Sequence, residues 1–403
     1  MTVRARLSAL TLALLLTATG CDSGEPDPPD GGLIAGGVSI TRLLAPATDA
    51  EIAAVRADWA ARSPEAVDAM VVASGSFDGA TVHVVSHTMG EGQGAPLTHY
   101  GVVRVPDGLA DDAPVLVVHH GGDNGFSIAT NSGAFTANTS VEAMVDAFPS
   151  LFSQTVQVIP AYRAEDITAG VAGLAGTYAS GGSASPWDYD VDDSIALLSS
   201  ALDLFDDETD EDAVAALGYS RGANVALLHQ VRDERIDAVT EYYGPTDFYN
   251  GVIQTLAIGV ATNNPNALRL PGALFLRDEV LAPLQTMGNA YDPDADYATA
   301  RLEVVRRSAS LFKSDMENVQ IHHHTQDPVV GYPVSEAFNA QPGMVSGDYE
   351  FNTYTNPVPV QGAEHSPEGM PASLNSTQRW LAQYLGLTLN PALTEAAEPV
   401  LAF

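Results

Sequence analysis

Ala213-Val214-Ala215-Ala216-Leu217, an apolar run of strand length, leads directly into Gly218-Tyr219-Ser220-Arg221-Gly222, and few folds accommodate that junction. The run reads as a short buried strand. Glycines two places either side of a serine fit a sharp strand-to-helix turn, which lifts the serine hydroxyl clear of the sheet. Such a five-residue pattern recurs by chance in unrelated chains. It gains weight only if a base, an acid and oxyanion donors stand where the chemistry needs them.

The rest of the chain alternates strand and helix patterns. An amphipathic helix is predicted over residues 52–61, followed by strands over 81–85 and 100–105 that can form an antiparallel hairpin at a sheet edge. Pro114-Val115-Leu116-Val117-Val118 is a continuous apolar run, as a strand covered on both faces requires. Helices near 141–147, 191–205, 223–231 and 378–385 alternate with strands near 156–160, 236–243 and 319–324. This predicts an α/β fold with a doubly wound, mostly parallel sheet. Residues 245–300 break the alternation with Asn, Pro, Gly and Asp around two short apolar pieces, 252–260 and 268–276. An insertion there is expected to lie as a cap or lid above the carboxyl ends of the strands.

The amino terminus reads as an export signal. Arg4 and Arg6 precede an apolar stretch, Leu7 to Leu16, too short to span a bilayer, and Ala18-Thr19-Gly20-Cys21 closes it. This resembles a bacterial lipoprotein signal, which implies removal of residues 1–20, lipid attachment at Cys21 and a place on a cell membrane facing the periplasm or exterior. Cys21 is the only cysteine, which excludes an intramolecular disulfide. Residues 21–37 hold little to bury and are expected to form a flexible acidic tether, with one catalytic domain over 38–403.

Fifty-one acidic residues stand against 17 basic ones, a formal net charge of −34, and Lys313 is the single lysine. Nucleic acid and anionic lipid headgroups are excluded as favoured partners by that charge. The excess of carboxylates predicts a surface adapted to high salt, where counterions screen self-repulsion.

The partners of Ser220 can be sought by position. His119-His120-Gly121-Gly122 follows the Pro114–Val118 strand, and glycines there let the backbone approach a substrate carbonyl with its N–H groups. Gly121, Gly122 and the N–H of Arg221 are the candidate oxyanion hole. Asp327 follows the 319–324 strand, and His365 lies just before the closing helix. The order Ser, Asp, His makes Ser220, His365 and Asp327 a candidate nucleophile, base and orienting acid. Glu364 and Asp348 compete for the acid role.

These motifs resemble the α/β-hydrolase superfamily. With Pro160-Ala161-Tyr162-Arg163, Trp187-Asp188, Tyr243-Gly244-Pro245-Thr246-Asp247, Arg307-Ser308 and His323-His324-Thr325-Gln326-Asp327, the chain over residues 97–386 is similar to prolyl-oligopeptidase-like and dienelactone-hydrolase-like catalytic domains. The resemblance implies a serine hydrolase that works through an acyl-enzyme intermediate without a cofactor. It departs from the peptidases in lacking room for a propeller and in carrying Arg221-Gly222-Ala223 after the nucleophile. A carboxylic ester is therefore the expected substrate, with a peptide as the alternative and a non-catalytic surface lipoprotein as a third reading.

Three side-chain groups have plainer explanations than the functional ones they invite. Arg221 can attract an anionic acyl group but is expected in a structural ion pair with Asp247 or Asp188. His322-His323-His324 suggests a metal, yet only His322 and His324 can share a strand face and no carboxylate stands at ligand spacing, so no metal is expected. Trp187 and Tyr189 can stack on a substrate but at a helix start are expected to pack.

Overall fold

The computed structural model describes residues 32–62, 64–89, 97–129, 140–285, 293–358 and 362–389; the leader and Cys21 lie outside them. Among these residues no helix is long and apolar enough to cross a membrane.

Among the described residues nine strands form the central sheet: β1 (Ala66–Ser76), β2 (Ala80–Met89), β3 (Leu97–Pro106), β4 (Ala113–His119), β5 (Val156–Pro160), β6 (Thr209–Tyr219), β7 (Ile236–Tyr242), β8 (Glu317–His324) and β9 (Ser346–Tyr354). Their order is β9-β8-β7-β6-β4-β5-β3-β2-β1. From β5 to β9 all neighbours run parallel, whereas β1, β2 and β3 pair antiparallel. After β4 the chain adds β5 on one side and β6 on the other. That reversal opens a crevice at the carboxyl ends of β4 and β6, where ligands bind in sheets of this kind. This is the doubly wound α/β-hydrolase fold expected from the sequence.

The apolar run of β4 is covered on both faces because successive side chains point opposite ways. Val115 and Val117 join one core with helices α3 (Tyr189–Leu204) and α4 (Arg221–Arg232). Leu116 and Val118 join the other, with α2 (Val141–Ala147) and α7 (Pro371–Tyr384). Earlier in the chain α1 (Asp49–Ala61) is started by a Thr48–Glu51 capping box and buries Val55 and Trp59 on the α3 side.

Three expectations change. The hairpin of β2 and β3 forms in antiparallel register but is not the edge, because β1 lies outside it. The tether ends before residue 37: Ile34–Ala35 pairs with Val38–Ser39, and Ala35, Val38, Ile40 and Leu43 are buried in a third apolar cluster. A three-stranded sheet of Phe126–Ala129, Asp166–Val171 and Leu174–Ala179 was not anticipated, although Asp166–Val171 alternates exposed and buried residues.

Between β7 and β8 the interrupting segment folds mainly as helix, including α5 (Gly251–Ala261) and α6 (Pro293–Val305). Its apolar side joins the third cluster with Ala35 to Leu43. Arg301 on α6 fastens the amino-terminal segment there, donating to the carbonyls of Arg42, Ala45 and Pro46 and pairing with Glu51 at 2.6 Å.

Candidate active site

Ser220 follows β6 and precedes α4, at φ 53° and ψ −120°, a strained conformation for a residue with a side chain. Its N–H donates to Tyr242 O at 2.9 Å, which ties the turn to β7. The two glycines are sterically required. A Cβ on Gly218 would stand 2.3 Å from Gly222 O, and one on Gly222 would stand 2.3 Å from His119 O. The turn thus closes on itself and on the end of β4.

Side chains from three separate segments meet at this serine. His365 Nε2 lies 3.0 Å from Ser220 Oγ, and His365 Nδ1 lies 2.7 Å from Asp327 Oδ2. Asp327 is fixed independently, since its Oδ1 accepts the N–H groups of Val329 at 2.8 Å and Val330 at 3.0 Å. Burial would raise its pKa, but His365 and His323 beside it hold the carboxyl at about 2. His365 stands at the end of a helical turn opened by Gly362, φ 94°, and its ring lies 4.2 Å from that of Tyr243. The sequence-based candidates Ser220, Asp327 and His365 are therefore in hydrogen-bonding order. The competing acids are engaged elsewhere: Glu364 accepts Gly362 N–H at 2.7 Å and Asp348 accepts the Tyr384 hydroxyl at 2.7 Å.

The glycine loop lies beside the elbow because His119 at the end of β4 is in register with Gly218. Both of its carbonyls are held by side chains. His120 Nδ1 donates to Gly121 O at 2.9 Å, and Arg221 Nη1 donates to Gly122 O at 3.1 Å. In a trans peptide the N–H points opposite to the C=O, so these bonds turn the N–H groups of Gly122 and Asp123 away from them. Arg221 is the first residue of α4, so its own N–H has no intrahelical acceptor.

Arg221 has the structural role, with other partners than Asp247 or Asp188. Its guanidinium makes a two-pronged pair with Asp190, at 2.9 and 2.8 Å, and reaches Glu165 Oε1 at 2.5 Å. Tyr162 covers it at 4.8 Å. Burial opposes the charge, but Asp190 and Glu165 more than offset this and hold the group above its ordinary range. Asp247 instead accepts Tyr249 N–H, and Asp188 binds Trp59 and Arg62.

The reading of the sequence missed Glu165, Asp190 and His120 as supports. One signal was present, since Asp188, Asp190, Asp192 and Asp193 crowd the start of an otherwise apolar helix. Each is buried, and each meets an arginine: Arg62, Arg221, Arg232 and Arg163 respectively. Part of the acidic excess is thus internal, at a helix N-terminus that favours it.

The histidine triplet is committed to hydrogen bonds. His322 faces Tyr354 and Gln320, His323 contacts Ser335 and lies 3.5 Å from Asp327, and His324 meets Asn356 O. Among the described residues no group of three or more His, Cys, Asp or Glu side chains is placed to hold a metal ion. Tyr189 packs under Arg62 and Arg163, whereas Trp187 is packed against Phe248 and also lines a cavity that reaches Ser220.

No protein-family model and no curated protein sequence matches the chain. Among solved structures it is similar to acetyl xylan esterase 1 from Thermoanaerobacterium sp. JW/SL YS485, at 15% identity and TM-score 0.49 over 83% of this chain and 93% of that one. It is similar to an acetyl xylan esterase from Paenibacillus sp. R4, at 14% identity and TM-score 0.46 over 86% and 100% of the two chains. A puromycin-hydrolyzing peptidase from Mycobacterium tuberculosis is similar at 14% identity and TM-score 0.42, over 78% of this chain and 47% of that one.

Proposed function

We propose that the protein is a serine hydrolase of carboxylic esters. The reading rests on the unbroken Ser220–His365–Asp327 hydrogen-bond chain at a strained elbow. Ser220 Oγ attacks the ester carbonyl while His365 Nε2 takes its proton, and Asp327 keeps the imidazole in the tautomer that can do so. The developing oxyanion is met by N–H groups of Arg221 and of the Gly121–Gly122 loop, whose donors are set before substrate arrives. His365 returns the proton to the leaving alcohol, and an acyl-serine forms. Water then attacks by the same route in reverse, releasing the carboxylic acid and free Ser220.

An ester is favoured over a peptide because the carboxylates on the cavity wall are spoken for. Glu303 pairs with Arg307 at 2.6 Å and Asp327 with His365, which leaves neither of these to hold a peptide amino terminus. The helices between β7 and β8 act as the cap in this reading. Export, lipid attachment at Cys21 and work in high salt belong to the same proposal and rest on the sequence.

A fluorophosphonate probe tests the chemistry. It should label the wild-type protein and fail to label Ser220→Ala and His365→Ala variants that keep the wild-type circular dichroism. A folded wild type that takes no label would favour a non-catalytic surface protein, and turnover of aminoacyl anilides without turnover of esters would replace the ester by a peptide.

A further inference from the structure

Building on the serine hydrolase reading, we infer that the acyl half of the substrate is an apolar group well beyond acetyl in size, held in the cavity between the elbow and the helices that follow β7. That cavity measures about 350 Å³ and reaches Ser220. Trp187, Phe248, Val252, Leu256, Phe275 and Val334 make much of its wall. Pockets of several hundred Å³ lined this way bind by excluding water from apolar surface, with few polar contacts. An acetyl group would leave most of the wall without a partner.

The polar members of the wall change this little: Trp187 Nε1 is a buried donor left without a partner among the described residues, and the other groups named here are bonded within the protein. Arg307 donates to Pro186 O, Ser185 Oγ and Glu303, and its guanidinium lies 4.1 Å over the Phe275 ring. Thr255 donates to Gly251 O, and Asn264 caps Asn266 N–H. Arg221 is spent on Asp190, Glu165 and Gly122. A sugar or a carboxylate-bearing acyl group would have to break such bonds or lose its own hydration, at a cost that apolar chains avoid.

Position decides that the cavity takes the acyl half. His365 must face the oxygen of the leaving group to protonate it, so the alcohol lies on the His365 side. Among the described residues the cavity wall includes Ser220 and Asp327 but not His365. With His365 outside that wall, the space beside Ser220 is assigned to the chain attached to the carbonyl carbon.

Two substrate series on the purified mature protein test this: p-nitrophenyl esters from acetate to dodecanoate, and acetate esters of alcohols of the same lengths. Each methylene buried in the cavity should raise kcat/KM about fourfold until the space is filled. The expected result is a gain of at least about 100-fold from acetate to octanoate along the acyl series, with less than about fivefold along the alcohol series. Val252→Trp, which fills part of the cavity, should cut the octanoate-to-acetate ratio at least about tenfold, and methyl against octyl fluorophosphonate labelling rates should show the same order without turnover. Preference for acetate, or a gain that follows the alcohol, overturns the inference while labelling of Ser220 leaves the hydrolase reading standing. Absence of labelling by either probe overturns the hydrolase reading itself.

Discussion

The floor and the roof of the site are built from opposite materials. Beneath Ser220 the chain spends strained backbone, close glycine contacts and a buried Arg221–Asp190–Glu165 cluster on holding a few N–H groups and one hydroxyl in place. Above it, short helices and the Ala35–Leu43 segment meet through apolar side chains, secured by Arg301. Directional, charged contacts fix atoms to fractions of an ångström, as bond making requires. Apolar packing fixes volume and shape and tolerates exchange of one side chain for another. The chemistry is therefore expected to be sensitive at the floor and substrate choice at the roof.

The sharpest way to break this contrast is at Arg221. Arg221→Met leaves Asp190 and Glu165 buried without their cation, which should cost about 3–5 kcal/mol of stability and lower kcat by about 10²-fold as Gly122 loses its anchor. Arg221→Lys keeps the charge but not the two-pronged fit and should recover only part of both losses. Denaturant unfolding and steady-state kinetics on the same preparations check this; a rise in KM alone, with kcat unchanged, would assign Arg221 to substrate binding instead.

Acid should act next, and chiefly on stability. Burial holds His87 at about 4 and His322 at about 3 and also lowers His99, His119 and His229. Below about pH 6.5 an unfolded chain protonates these rings while the folded one does not, so folding stability drops as pH falls. Each such ring steepens the slope by up to about 1.4 kcal/mol per pH unit. Glu241, raised by burial to about 7, works the other way, since the folded state binds its proton first between about pH 4.5 and 7. Burial also raises Asp123, Asp190, Asp192 and Asp237, but from a lower ordinary value, so the histidines outweigh the carboxyls above about pH 4.5 and leave a net loss, to which Asp327 adds below about pH 4. Unfolding midpoints at pH 7, 5.5 and 4.5 should decline throughout; a midpoint that rises between 7 and 5.5 would put Glu241 ahead of the histidines.

The smallest effect belongs to the roof clamp. Glu51→Gln removes one partner of a partly exposed pair and should change global stability by no more than about 1 kcal/mol. Its signature should be a two- to fivefold rise in KM with kcat kept, measured on a short and a long ester. A matching drop in kcat would mean that roof and floor are coupled more tightly than their materials suggest.

Much of this site was legible because its signals are local. A serine between two glycines after an apolar strand, a glycine loop after the preceding covered strand, an aspartate past β8 and a histidine before α7 each require only a few neighbouring residues to interpret. The alternation that predicts a doubly wound sheet is likewise a property of short windows. Strand β1 was hidden because Val67, Met70, Val71 and Val72 are exposed on an edge and show no burial period.

What the sequence alone determined is the sheet class, the candidate nucleophile and the order of its candidate partners, since backbone conformation and strand burial are set by adjacent residues. Only tertiary structure decided that Arg221 serves Asp190 and Glu165, 31 and 56 residues away, rather than a substrate. It also decided that residues 34–43 pack against the helices between β7 and β8 and that the cavity wall beside Ser220 is largely apolar. Charge pairing and cavity shape depend on which distant segments share a space, and among many arginines and aspartates no short stretch of chain carries that choice.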